Sequence, residues 1–170
     1  MRPQLIWGPG DPHLVPRILA RRHKLKIIGD GENIVGLTYV ENAAFAHLLA
    51  CDALQFGSPN AGKAYFITDL QPVKVWAWIN EVFRCLGYPP ITRKIPAGLV
   101  YVVGAVLEDI WKFLGIEKEP FMTRFVAKSL STHQYYDLSA AIEDFGYYEK
   151  ENPKEGFEKM LGYFREKPPK

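Results

Sequence analysis

Four stretches of this chain read as β-strands: Gln4 to Trp7, Leu25 to Ile28, Ile34 to Val40 and Ala64 to Thr68. They are too few and too scattered for a complete doubly wound sheet, which needs several β-α-β units in succession. The first begins almost at residue 1, where a central strand has nothing before it. We read that as truncation and expect the last strands of an α/β sheet joined to a mainly helical lobe.

The helices follow from apolar spacing and punctuation. Leu14 to Arg22 is short, with Leu14, Ile18 and Leu19 on one side. Glu41 to Phe56 is rich in Ala and Leu. Gly57 to Gly62, with Pro59 inside it, is a loop. Pro72 to Leu86 is amphipathic, with Pro72 in its first turn and Gly87 as its stop. Pro96 to Leu114 is long and apolar, Pro120 to Leu130 follows it, and Ser139 to Phe145 is short and ends at Gly146. Asn152-Pro153-Lys154-Glu155 opens the last helix as a cap, with Phe157, Met160, Leu161 and Phe164 as its apolar stripe. The linker Gly29 to Asn33 tolerates positive φ and makes the two strands around it a hairpin.

Lys plus Arg is 21 and Asp plus Glu is 19, so the net charge of +2 leaves no electrostatic footprint for nucleic acid. The 14% aromatic content fits either a large apolar ligand or a dense core. Cys51 and Cys85 form no C-x-x-C pair; both fall in helical patterns and read as buried structural thiols in a reducing compartment. Met1-Arg2-Pro3-Gln4 has no signal-peptide shape, and the expected location is the cytoplasm. Ile95 to Leu107 has Tyr101 as its one titratable group. It is too short to span a bilayer. It suits either a membrane surface or the interior of its own domain, and we expect the interior.

Chemistry-bearing motifs are sparse. A dinucleotide turn needs glycines between a strand and a helix, so that backbone N–H groups can reach the pyrophosphate. Gly8-Pro9-Gly10 lies in a proline loop and Gly29-Asp30-Gly31 leads into a strand, so both read as turns. Tyr163 and Lys167 match Tyr-x-x-x-Lys, the pair in which Lys lowers a Tyr pKa for proton transfer. We reject the match, because it lies on a fraying helix end directly before Pro168-Pro169. His13, His23, His47 and His133 lack metal-ligand spacing. His23 sits in a solvated basic helix end and His47 is packed among Ala and Leu. Glu108 and Asp109 are adjacent on a helix, point apart, and form a solvent-facing edge.

Taken in order, Arg2-Pro3-Gln4-Leu5-Ile6-Trp7-Gly8-Pro9-Gly10-Asp11-Pro12-His13-Leu14-Val15-Pro16, Ile28 to Asn33, Thr38-Tyr39-Val40-Glu41-Asn42 with Ala46-His47, Gly62 to Tyr65 with Ile67-Thr68-Asp69, and Tyr136-Asp137 with Phe145-Gly146-Tyr147 resemble the C-terminal half of extended short-chain dehydrogenases. The chain is most similar to the 3β-hydroxysteroid dehydrogenase/isomerase family, in its sterol-4α-carboxylate 3-dehydrogenase (decarboxylating) branch. Nucleotide-sugar epimerases usually place an Arg just before the Tyr-Val segment, where this chain has Val35-Gly36-Leu37; that suits an apolar substrate instead.

The resemblance implies the C-terminal part of an NAD(P)-binding Rossmann fold. Residues 1–71 would close the sheet with an inserted hairpin, and residues 72–170 would form a helical substrate lobe. Pro3 and Gln4 would lie beside the nicotinamide of NAD or NADP. Leu5, His13 and Leu14 would line the substrate cleft, with Val35 and Leu37 facing it further out; His13 is otherwise a loop histidine. A sterol-like substrate, an N-terminal Rossmann half and a homodimer would be the partners, with a membrane surface reached through residues 95–114 (endoplasmic reticulum in a eukaryote). The phosphate turn, the ribose acid and the catalytic Ser and Tyr-x-x-x-Lys lie upstream in the family, so we expect no tight NAD(P) binding or hydride transfer from these residues. The alternative is a non-catalytic lipid- or partner-binding module.

Overall fold

The computed structural model describes residues 1–58, 60–117, 120 and 122–168. The loop assignment at Pro59, the second residue of the expected Pro120 to Leu130 helix and Pro169 lie outside them.

Eight two-residue strands and seven helices are seen among the described residues. In chain order they are β1 Arg2–Pro3, β2 Ile6–Trp7, α1 Leu14–Ala20, β3 Ile27–Ile28, β4 Ile34–Val35, β5 Thr38–Tyr39, α2 Val40–Ala53, β6 Phe66–Ile67, β7 Val73–Lys74, α3 Val75–Cys85, β8 Lys94–Ile95, α4 Ala97–Phe113, α5 Arg124–Ser129, α6 Ser139–Phe145 and α7 Pro153–Glu166. β1 pairs parallel with β6, and β2 parallel with β5. The Thr38 hydroxyl lies between the carbonyl oxygens of Gln4, at 2.5 Å, and Ile67, at 3.0 Å, tying both pairs into one register.

The expected strand from Gln4 to Trp7 is interrupted, because Leu5 takes φ +43 and turns the chain between β1 and β2. The hairpin around Gly29 to Asn33 does not form. Gly29 and Gly31 do take positive φ. The flanking strands nevertheless leave each other for distant partners: β3 pairs parallel with β8, and β4 antiparallel with β7. Ile27 and Ile28 are both buried. A strand covered on both faces is satisfied by a parallel neighbour inside the fold, not by an exposed hairpin. Pro72 lies ahead of α3, since Val73 and Lys74 are drawn into β7.

Two apolar clusters result. The larger joins Trp7, Val15, Leu19, Tyr39, the inner face of α3 and the Met160, Leu161 and Phe164 stripe of α7. The smaller joins Ala46 of α2, Ile67 of β6, and Ala141 and Phe145 of α6. Gly156 lets α7 lie on the Tyr39 ring, where an added Cβ would come within 2.7 Å of a ring carbon. The last helix starts as its sequence predicts, with Asn152 Oδ1 accepting the Lys154 N–H at 3.0 Å.

α4 corrects the expectation of burial. Only Val100 and Gly104 are buried, while Leu99, Val102, Val103, Val106, Ile110 and Phe113 are exposed on one face. α4 packs on α5 across Gly104, whose added Cβ would meet Thr123 backbone at 2.7 Å. A six-residue helix covers one side of a seventeen-residue helix and leaves the other bare. No helix among the described residues is long and apolar enough to cross a membrane. Cys51 is exposed and Cys85 half-buried, so neither is a core thiol. His47 is exposed as well, turned back so that Nδ1 lies 2.7 Å from the Ala43 carbonyl. Glu108 binds Arg124 through its backbone N–H at 2.7 Å and its Nε at 2.6 Å, fastening α5 to α4.

Candidate functional site

The β2–α1 loop is shaped by one carboxylate. Asp11 accepts the backbone N–H groups of His13 at 2.7 Å, Leu14 at 3.0 Å and Val15 at 2.7 Å, which satisfies donors that every helix start leaves free. Gly8 takes φ +148 where an added Cβ would strike Val40 Cγ1 at 2.6 Å, so only glycine passes this point. The loop and α1 are thereby held against α3 and α5, with a cleft of about 990 Å³ between them.

Trp7, Leu14, Ile18, Leu25, Val75, Trp76, Trp78 and Ile79 make the cleft mainly apolar, and Val126, Leu130 and Pro120 close its far side. Trp76 is held from behind by its Nε1–H, which donates to the Leu130 carbonyl at 3.3 Å. Of the residues singled out in the sequence, Pro3, Leu5, His13, Leu14 and Leu37 line this cleft together. Leu5 does so from its positive-φ position, 39% exposed. A non-glycine residue in that region costs of order 1–3 kcal/mol, and such residues cluster at active sites and ligand clamps. Gln4 is half-buried and turned to Gln134, with Nε2 donating to Oε1 at 3.2 Å. Val35 is absent from the lining and sits 2% exposed in the larger core cluster.

Sequence reasoning missed Arg17, Arg21, Trp76, Trp78 and Ile79 as lining residues. The signal was available for α1, where residues 14, 17 and 18 follow helical spacing along one face and Arg21 caps its end. The tryptophans carried no such mark, because their placement depends on α3 meeting α1 across the chain.

Trp7 also borders a second cleft of about 850 Å³, shared with Leu37, Asp69, Trp78, Glu149, Asn152 and Phe157. Asp69 is buried, and burial pushes its carboxyl up to about 6. Hydrogen bonds from Asn42 Nδ2, at 3.1 Å, and from the Tyr39 N–H, at 3.0 Å to Oδ2, pull the other way. Asn42 in turn binds the Glu151 backbone, with Nδ2 donating to O at 3.0 Å and Oδ1 accepting N–H at 2.9 Å. This buried network fixes the start of α2 to the chain entering α7. Among the described residues, no group of three His, Cys, Asp or Glu is placed to hold a metal ion. Lys167 lies over the Tyr163 ring, 5.4 Å from its centroid.

Residues 1–96 match the 3-beta hydroxysteroid dehydrogenase/isomerase family. The chain is 48% identical over 163 residues to a 2-alkyl-3-oxoalkanoate reductase of Shewanella oneidensis, covering 94% of this chain and 42% of that one. It is 34% identical over 152 residues to the mouse decarboxylating sterol-4-alpha-carboxylate 3-dehydrogenase, covering 86% and 42%. The chain thus spans less than half the length of these relatives. The fold is also that of a dTDP-glucose 4,6-dehydratase from Streptomyces venezuelae, solved with NAD and TYD bound. That match has a TM-score of 0.59 at 15% identity and covers 98% of this chain and 43% of the other.

Proposed function

Because the chain belongs to the 3-beta hydroxysteroid dehydrogenase/isomerase family, we propose that it is the substrate-binding portion of an NAD(P)-dependent oxidoreductase acting on the 3-oxygen of an apolar substrate. The observation that carries this is the apolar cleft that takes in Leu5 and runs directly onto Pro3, which with Gln4 would lie beside the nicotinamide by the family resemblance. The nicotinamide end fits: Gln4 Oε1 is buried without a hydrogen-bond donor among the described residues, an acceptor suited to a carboxamide. The phosphate end does not: Gly8-Pro9-Gly10 lies between β2 and α1, but no G-x-G-x-x-G occurs in the sequence, and Asp11 already takes the first N–H groups of α1. When bound, the cofactor would supply hydride transfer; Pro3 and Gln4 would bound its ring, and the cleft would hold the substrate and exclude water.

The relatives favour a narrower substrate than a sterol alone. Those named above act on a 2-alkyl-3-oxoalkanoate and on a sterol-4-alpha-carboxylate. Both names describe an apolar acid oxygenated at carbon 3, and we take that class as the substrate.

Among the described residues β1 and β2 each pair with one strand, which supports a partner segment on their other edges, and the exposed Leu5, Ile6 and Val40 beside them support it further. Reduction of a 2-alkyl-3-oxoalkanoate by NAD(P)H tests the reading. The chain alone should show none, and adding the N-terminal half of the Shewanella relative should restore it. Turnover by the chain alone, or none by the pair, counts against it. The outer stripe of α4 supports a second element of the proposal, attachment to a membrane surface. Flotation with phosphatidylcholine–phosphatidylglycerol vesicles should carry the chain upward, and a Val102→Ser, Val106→Ser variant should stay behind.

A further inference from the structure

α1 presents two cations to an otherwise apolar cleft. Arg17 within α1 and Arg21 at its C-cap both line the cleft beside Leu14, Ile18 and Leu25. Neither pairs with a carboxylate among the described residues. The one acid among the described lining residues, Asp11, is already committed to three backbone N–H groups. Among the described residues, the cleft therefore carries positive charge at α1 that no lining carboxylate offsets.

We propose that Arg17 and Arg21 bind the carboxylate of the substrate, which makes the cleft selective for apolar acids over their neutral counterparts. The inference rests on the cleft being the substrate site. A guanidinium meets a carboxylate through two parallel N–H donors, so the pair fixes orientation as well as charge. Both arginines are exposed, which leaves the ion pair at the rim, partly in water, and avoids burying a charge. The acid's tail then runs inward along Ile18, Trp76 and Ile79, with the carboxylate held at α1.

Titration of the 170-residue chain with 2-hexyl-3-hydroxydecanoic acid and with its methyl ester tests this, read by the fluorescence of Trp7, Trp76 and Trp78. The 3-hydroxy acid is the probe because a 3-oxo acid loses carbon dioxide. The acid should bind about tenfold more tightly than the ester, a preference worth one decade in Kd that shrinks with added salt. Arg17→Gln with Arg21→Gln should abolish the preference, and an unchanged far-UV circular dichroism spectrum and melting temperature show that the variant folds. Arg17→Lys with Arg21→Lys should retain part of it. Equal binding of acid and ester by the unaltered chain overturns the carboxylate assignment and leaves the cleft reading standing. So does a preference that survives in the Gln variant. Failure of both ligands to bind overturns the cleft reading and this inference with it.

Discussion

Helices α3 and α4 follow one another in the chain and meet opposite fates. The eleven residues of α3 bury Val75, Trp76, Ile79, Val82 and Phe83, whereas the seventeen of α4 bury only Val100 and Gly104. α4 is apolar nearly all round. α3 carries Asn80, Glu81 and Arg84 among its apolar residues, so its stripe has one way to pack. Apolar content states how much a helix gains from burial; the neighbours decide whether burial is on offer. α3 has α1, β2 and α7 around it, and α4 has one short helix.

The sharpest break of this contrast is Phe83→Ala. Phe83 is fully buried, and its loss should cost about 3–5 kcal/mol in urea denaturation. A value near zero would mean that α3 is not the core helix described.

Asp69 probes the same core through pH. Its carboxyl is raised to about 6, so between pH 4 and 6 the folded state holds a proton that the unfolded state has released. Stability should therefore fall as pH rises through that window, by on the order of 3 kcal/mol for a two-unit shift. Asp69→Asn should flatten the slope; a slope that persists assigns it to another group.

Gly104→Ala places a Cβ against Thr123 and Arg124 backbone. The cost should be about 1–3 kcal/mol, and hydrogen exchange should show it confined to α4 and α5. Spread of the effect into α3 would show that the two helices are one cooperative unit. The smallest effect belongs to Val106→Ser on the bare face of α4, within about 0.5 kcal/mol in the same denaturation experiment. A larger loss would reveal a cover on that face.

Much of the local structure was legible because its causes are local. Asn152 before Pro153 caps α7, Gly146 stops α6 at φ 68, and the Phe157 to Phe164 spacing marks the buried stripe. The run Thr38 to Asn42 was legible as a family segment, and the reason is now physical: Thr38 locks the register of the β1 and β2 pairs, and Asn42 joins α2 to α7. Pro3, Leu5, His13, Leu14 and Leu37 line one cleft, and four of them lie in one continuous stretch and its loop. Val35 stands 2% exposed in the larger core cluster, a burial set by the distant segments that cover it and not by its neighbours in sequence.

By itself the sequence determined where α6 and α7 start and the ordered motifs that mark the family, all of which depend on neighbours within a few residues or on motif order. Only the tertiary structure decided that β3 and β4 part for distant partners, that Leu5 turns between two strands, that α4 stays bare and that Arg17 and Arg21 face an apolar cleft. Each of these depends on competition between segments far apart in the chain, and a strand of two residues has too few local preferences to choose its own partner.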